Sequence, residues 1–107
     1  MIELTEAQVQ NQCLCYLSIR KIFHWRQNTG SFQMKDRYIQ CGIKGMADII
    51  GILPDGHFLS VEVKRTKGGR VSPEQEAFRK KVEDNGGVAL IVNSVEALKQ
   101  GLEEAGY

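Results

Sequence analysis

The sequence has no long apolar run and few cysteines. None of its apolar stretches approaches the roughly 20 residues that a membrane-spanning helix needs. It starts with MIELTEAQVQ, a polar and acidic stretch unlike a secretory signal peptide. The three cysteines, Cys13, Cys15 and Cys41, are odd in number, which argues against a disulfide framework and favours reduced thiols in the cytoplasm. A zinc site completed by His24 or His57 is the alternative use of these thiols.

The chain also has almost no net charge, with a formal total of +1 over 107 residues. The charge is unevenly distributed, because residues 20–81 carry 13 Lys or Arg against 6 Asp or Glu, whereas both flanking segments are net acidic. A basic middle is the charge footprint expected of a protein that binds a polyanion. A solvated basic surface is the alternative. The length predicts one domain, residues 1–107, with a modest core.

A helix is predicted near the start, because Thr5 followed by Gln8 fits a capping box, and it runs to about Arg20. Its apolar stripe has helical spacing and comprises Val9, Cys13, Tyr16 and Leu17. Glu6 and Gln10 fall within the same stripe, so they are predicted to face inward and to need polar partners. The alternative for Glu6 is a solvated position in the first turn, favoured by the helix dipole.

Three segments predict strands, namely Ile22 to Asn28, Ala47 to Leu53 and His57 to Lys64, with a turn at Pro54 to Gly56 joining the last two. The stretch Thr29 to Lys44 shows no clear periodicity and mixes basic with aromatic residues. That mixture is compatible with contacts to phosphates and bases, with a dimer contact, or with a small extra hairpin.

The second half of the chain predicts a helix, a strand and a final helix. Ser72 and Gln75 form a capping box around a proline at the first helical position, and Asn85 to Gly87 ends that helix. Val88 to Asn93 is a continuous apolar run typical of a buried central strand, and Ser94 caps the last helix. The predicted fold is therefore α/β, in the order α-β-β-β-α-β-α, with a mixed sheet flanked by helices.

Three charged residues occupy the most strand-like part of the chain. Glu62 and Lys64 project from one face of their strand, and the turn brings Asp48 back beside them. Two carboxylates make a hard oxygen site suited to Mg²⁺ or Mn²⁺, to which the backbone carbonyl of Val63 could add a ligand. The lysine could orient a water molecule or neutralise charge on a phosphate. A surface salt bridge is the alternative interpretation.

The wider pattern around these charges resembles a known family. G-x-x-D at Gly45 to Asp48, E-x-K at Glu62 to Lys64 and S-x-x-Q at Ser72 to Gln75 resemble the VRR-NUC group of the PD-(D/E)XK nuclease superfamily. The segment RQNTG, Arg26 to Gly30, is similar to the polar segment after the family's first strand. The resemblance covers nearly the whole chain and implies a restriction-endonuclease-like core.

By this resemblance the protein is a metal-dependent phosphodiesterase, and its site residues follow from the matching positions. Asp48, Glu62 and the Val63 carbonyl bind Mg²⁺ or Mn²⁺, with Glu6 as a further candidate ligand. Lys64 serves as the catalytic lysine. Gln75 forms a hydrogen bond to another group of the site or to that lysine. The supporting positions are Gln10, Gly45 and Ser72.

The resemblance extends to stand-alone members from phages and bacteria, which look like Holliday junction resolvases and pair as symmetric dimers. It therefore implies a homodimer that cuts branched DNA in the cytoplasm of a bacterium or a phage-infected cell. We expect DNA contacts from six cations, Arg65, Lys67, Arg70, Lys44, Lys35 and Arg37. The alternatives are a sequence-specific or general nuclease of the same fold and a DNA-binding module without catalysis.

Overall fold

The computed structural model describes residues 2–27, 31–34, 37–40 and 43–107. These ranges form nine elements: α1 (Glu6–Ile19), β1 (Phe23–Arg26), β2 (Ser31–Met34), β3 (Arg37–Gln40), β4 (Ile49–Ile52), β5 (Phe58–Val63), α2 (Pro73–Asp84), β6 (Val88–Val92) and α3 (Val95–Glu104). Apart from the short hairpin β2–β3, the order is the predicted α-β-β-β-α-β-α. Within the described ranges, no helix is long and apolar enough to cross a membrane.

Four strands form a mixed sheet in the order β1-β4-β5-β6. The pairs β1–β4 and β4–β5 are antiparallel, whereas β5 and β6 are parallel and are connected through α2. The prediction of a central strand at Val88 to Asn93 was wrong, because β6 has a strand neighbour on one side only within the described residues. It is apolar because α2 and α3 both pack against it.

The core lies between the sheet and the helices α1 and α3. Its buried side chains come alternately from the strands and at helical spacing from the helices, and they include Val9, Cys13, Leu17, Ile49, Leu59, Val61, Val63, Leu98 and Leu102. The inward orientation predicted for Glu6 was wrong: its side chain is exposed in the first turn of α1, and Gln10 is half-buried. A carboxylate at a helix N-terminus is stabilised there by the dipole and by water.

The small hairpin lies in the stretch Thr29 to Lys44, whose sequence shows no clear periodicity. Ser31–Met34 pairs antiparallel with Arg37–Gln40. Lys35, one of the expected DNA contacts, lies outside the described residues, as do Asn28 to Gly30 and Cys41. Of the other cysteines, Cys15 is exposed and Cys13 is buried in the core, where burial raises the pKa of its thiol to about 11.

Candidate active site

The register of β4 against β5 brings the two predicted carboxylates opposite each other. Ile50 pairs with Ser60 and Ile49 with Val61, so the next pair along the ladder is Asp48 with Glu62. A hydrogen bond holds the Asp48 side chain against β5, because its Oδ2 accepts from the backbone N–H of Val63 at 2.8 Å. On its other side, the carbonyl of Asp48 accepts a 2.7 Å bond from the N–H of Gln27, so both neighbouring strands hold this residue.

Lys64 and Gln75 complete the cluster. The Lys64 ammonium lies 3.4 Å from Oε2 of Glu62 and donates a 2.8 Å hydrogen bond to Oε1 of Gln75. Gln75 in turn donates from Nε2 to the same Glu62 oxygen, at 2.5 Å. Glu62, Lys64 and Gln75 therefore form a closed triangle of polar contacts. Within this triangle Gln75 accepts from the lysine and donates to the carboxylate.

The first turn of α2 fixes the orientation of the Gln75 amide. Its Oε1 also accepts a 2.9 Å bond from the N–H of Ser72, and Ser72 Oγ accepts a 3.1 Å bond from the N–H of Gln75. This reciprocal arrangement is the capping box predicted from the sequence. What the sequence did not reveal is that one amide oxygen serves both the helix cap and Lys64. As a result, Nε2 of Gln75 points toward Glu62.

Gly45 brings the segment before Asp48 against the same helical turn. Its φ angle is +81°, and a Cβ at this position would overlap the backbone carbonyl carbon and oxygen of Glu74. A side chain cannot fit there, so the backbone approach requires glycine. The G-x-x-D spacing thus places Asp48 and the start of α2 in one site.

Glu62 is the most strongly perturbed group of the cluster. Only 6% of the residue is exposed, and its Oε1 has no hydrogen-bond partner. Burial raises the pKa of its carboxyl to about 7, and the neighbouring charge of Asp48 adds to this effect while Lys64 opposes it. A buried carboxylate beside a second carboxylate, with one oxygen unpartnered, has the properties expected of a group that receives a cation.

The donor set fits a hard divalent cation. Across the described residues, no three His, Cys, Asp or Glu side chains cluster closely enough to hold a metal, so Asp48 and Glu62 form a two-carboxylate site. Mg²⁺ is commonly bound by one or two carboxylates, with water and substrate phosphate completing its shell. Glu6 is not part of this pair. It lines an adjacent depression of about 350 Å³, together with Lys64, Arg65, Gly68, Gly69 and Arg70.

The loop from Arg65 to Arg70 leaves the site as an exposed basic turn. Arg65 donates from Nη2 to the carbonyl of Gly68 at 3.0 Å, which closes the turn. The loop is tied to the segment before α1, because Leu4 N–H donates to Thr66 Oγ1 at 3.0 Å and Thr66 N–H donates to the Leu4 carbonyl at 3.1 Å. The cations Arg65, Lys67 and Arg70 are all exposed.

Two expected DNA contacts are engaged in surface ion pairs. Lys67 lies 3.9 Å from Glu3, and Lys44 lies 3.4 Å from Glu74. Exposed pairs of this kind contribute about 0 to 1 kcal/mol, so a phosphate could replace either acid. For Arg37, at the start of β3, the description extends to the backbone only.

The mixed sheet, the flanking helices and the carboxylate–lysine cluster define a nuclease domain of the restriction-endonuclease-like class. A family model describing the VRR-NUC domain matches residues 5–96, a span that includes the whole cluster from Asp48 to Gln75. The chain belongs to the VRR-NUC domain family. A comparison with curated proteins found no significant match.

Proposed function

We propose that this protein is a divalent-metal-dependent endonuclease that hydrolyses phosphodiester bonds in branched DNA, such as four-way (Holliday) junctions. The observation that carries the proposal is the convergence of Asp48, Glu62, Lys64 and Gln75 at one end of β5, with a buried Glu62 oxygen that has no partner. Membership of a nuclease family supports phosphodiester hydrolysis as the reaction and DNA as the substrate.

Each residue of the cluster has a distinct role in the proposed reaction. Asp48, Glu62 and the carbonyl of Val63 would hold Mg²⁺ or Mn²⁺, which lowers the pKa of a water molecule and stabilises charge on the leaving oxygen. Lys64 supplies a positive charge beside the phosphate, where negative charge develops. Gln75 holds the lysine ammonium against Glu62, so that Lys64 needs no reorganisation when the substrate binds.

The branched substrate and the homodimer belong together in this proposal. One copy of the cluster cuts one strand, so symmetric cutting of two strands requires two copies related by a two-fold axis. The sequence resembles stand-alone resolvases, which pair in this way. The basic loop Arg65 to Arg70 supports DNA binding by charge rather than by base sequence.

The site is tested by replacing its residues one at a time. We expect Glu62→Ala and Lys64→Ala each to abolish cleavage of a labelled four-way junction, with unchanged circular dichroism. Lys80→Ala is the matched control, because Lys80 is an exposed lysine paired with Asp84 on α2 and should retain full activity. Full activity in either site variant, or undiminished turnover of the unmodified protein in excess chelator, would exclude the mechanism.

The substrate is tested by a panel of four-way junction, flap, single-stranded and linear duplex DNA. We expect the junction to be cut fastest. Equal cutting of all four would indicate a general nuclease, and cutting of duplex at one base sequence would indicate a sequence-specific enzyme. Binding without cutting, in the presence of Mg²⁺ and of Mn²⁺, would indicate a binding module.

A further inference from the structure

One face of the sheet is covered by a helix over only part of its width. The helix α2 contacts β5 and β6 on the face that carries Glu62. On the same face, at the β1–β4 side, large apolar side chains remain exposed: Phe23 is 67% exposed, Trp25 40% and Ile52 43%. The rings of Phe23 and Trp25 contact each other, with centroids 5.5 Å apart and planes tilted by 57°. They form a small aromatic surface, here called the β1 platform.

The β1 platform continues directly into the candidate active site. Trp25 pairs with Ile50, and Ile50 pairs with Ser60, so these three residues form one row across the sheet. Two residues further along the strands, the N–H of Gln27 bonds to Asp48, which stands opposite Glu62. Side chains two residues apart on a strand share a face, and the bond from Trp25 Nε1 to Gln27 Oε1, at 2.9 Å, follows this rule.

The distances along the strand suit a few nucleotides. At about 3.3 Å per residue, Trp25 lies about 7 Å and Phe23 about 13 Å along β1 from the row of the two carboxylates. A stacked DNA strand rises about 3.4 Å per nucleotide, so the two rings stand roughly two and four nucleotides from the reacting phosphate. Bases at that distance could reach the rings only if they are unpaired, because a duplex buries its base faces.

The segment that carries the β1 platform is basic, but its rings and its charged side chains lie on different faces. Residues 20–27 contain Arg20, Lys21, His24 and Arg26 and no acidic residue. His24 and Arg26 alternate with the two rings along β1 and so project from the opposite face, where His24 lies 3.5 Å from Ser18 of α1. The platform therefore offers two exposed rings next to the candidate active site, and exposed rings are surfaces on which unpaired bases stack.

We propose that Phe23 and Trp25 stack against unpaired bases of the DNA strand that is cut, and so help the site to prefer branched over continuous duplex DNA. The inference rests on the proposed nuclease function but adds a binding surface outside the carboxylate cluster. It assigns a role to the exposed side chains of a strand that otherwise serves the site only through the backbone bond of Gln27 to Asp48. The ligand class is a single-stranded segment of DNA next to the scissile phosphate.

The chain offers a direct optical test, because Trp25 is its single tryptophan. In the Glu62→Ala variant with chelator present, so that no cleavage occurs, oligo(dT) should quench the Trp25 fluorescence in a saturable manner. A blunt duplex of equal length should quench it much less at the same bound fraction. Binding of oligo(dT) without quenching, or equal quenching by the blunt duplex, would overturn the proposal.

Measurements of binding affinity then separate the contribution of ring stacking from that of charge. In the same background, Trp25→Ala should weaken oligo(dT) binding about 5- to 150-fold by anisotropy of a labelled strand. Trp25→Phe keeps a stacking ring and should restore most of the affinity. Ile19→Ala is the matched control, because Ile19 is 73% exposed but belongs to α1, on the other side of the sheet, and should leave the affinity unchanged.

The remaining outcomes distinguish this inference from the proposed function. If Trp25→Ala binds oligo(dT) normally while Glu62→Ala abolishes cleavage, the β1 platform is wrong and the nuclease site stands. If Glu62→Ala still cleaves but Trp25→Ala binds weakly, the nuclease site is wrong and the β1 platform stands. If sedimentation shows a dimer that Trp25→Ala dissociates, the surface is a contact between copies and the stacking proposal fails.

Discussion

Glu62 is the residue at which folding and the proposed chemistry oppose each other most directly. It lies in β5, between two other strands, with a buried oxygen that has no hydrogen-bond partner. A neutral side chain of the same shape would be better tolerated there, because burial and the Asp48 carboxylate both disfavour the ionised form. The ionised form is the one that the proposed divalent cation needs, so under this proposal the position trades stability for a binding site.

This conflict predicts how stability depends on pH. The pKa of Glu62 is raised from 4.5 to about 7 in the folded protein, so between these values the unfolded chain has released its proton while the folded protein retains it. Stability is therefore lost as pH rises through that window. We expect Glu62→Gln to raise the free energy of unfolding at pH 8 by about 1 to 2 kcal/mol after solvent screening, and to have little effect at pH 4.

Urea denaturation at the two pH values measures this difference, and Glu104→Gln, an exposed position on α3, is the control. At pH 8, added Mg²⁺ or Mn²⁺ should raise the melting temperature of the unmodified protein but not that of Glu62→Gln. An equal metal-induced shift in both proteins would contradict the assignment of Glu62 as a ligand.

For single residues, the sequence predicted which side chains lie close together but not how exposed each one is. Strand alternation and a short turn were enough to place Asp48 beside Glu62 and Lys64, because both depend on local geometry. The exposure of Glu6 was not predictable from its helical stripe, since the stripe does not show at which turn the buried contacts begin, and in α1 they begin at Val9. The bond from Gln27 to Asp48 depends on the pairing of β1 with β4, which no local pattern encodes.

At the scale of elements, α2 organises the site more than any strand does. Its first turn supplies Gln75, and its backbone receives Gly45 at a distance that excludes any side chain. The sequence predicted this helix, its cap and its end correctly, because Ser, Pro, Gln and Gly have strong positional preferences. It misjudged β6, because an apolar strand covered by helices on two faces has the same composition whether it is central or at an edge.

The contact between Gly45 and α2 can be tested with a matched pair of glycines. Gly45 and Gly56 both have positive φ, of +81° and +91°, but a Cβ on Gly56 would meet nothing within 4 Å. Gly56→Ala should therefore show only the backbone cost, about 1 to 2 kcal/mol. Gly45→Ala adds a clash with Glu74, and we expect a total loss of about 2 to 4 kcal/mol together with reduced cleavage.

Chemical denaturation and cleavage assays of the two variants, at a temperature where both remain folded, give the comparison. Equal losses of stability in both, or full activity in Gly45→Ala, would show that the close approach to α2 does not position the site.

At the scale of the whole molecule, the basic loop after β5 and the acidic last helix lie on different sides of the sheet. The site side carries the basic loop Arg65 to Arg70, whereas α3 on the other side contributes Glu96, Glu103 and Glu104. The charge counts of the three sequence segments predicted a basic middle between acidic flanks, but not the side of the sheet on which each charge lies. Which cations face the site could not be predicted, since that depends on how the loop after β5 folds back.

This arrangement predicts a position-dependent salt effect on DNA binding. If Lys67 contacts a phosphate, Lys67→Ala should reduce the slope of log affinity against log salt concentration by about 1. Lys99→Ala removes the same charge from α3, where the ammonium lies 5.6 Å from the ring centroid of Tyr16, and should leave the slope unchanged. Titrations at several salt concentrations measure both slopes, and equal slopes would remove Lys67 from the DNA surface.

The bonds between Leu4 and Thr66 have a consequence for how the molecule opens. They join positions 62 residues apart and are only half-buried, and the exposed Glu3–Lys67 ion pair and the packing of Leu4 against the core add to them. Contacts of this kind belong to the least stable part of a fold and break while the sheet remains intact. Each such opening would free the loop that leads out of the active site. Amide hydrogen exchange at Leu4 and Thr66 would therefore report how readily this loop separates from the N-terminal segment.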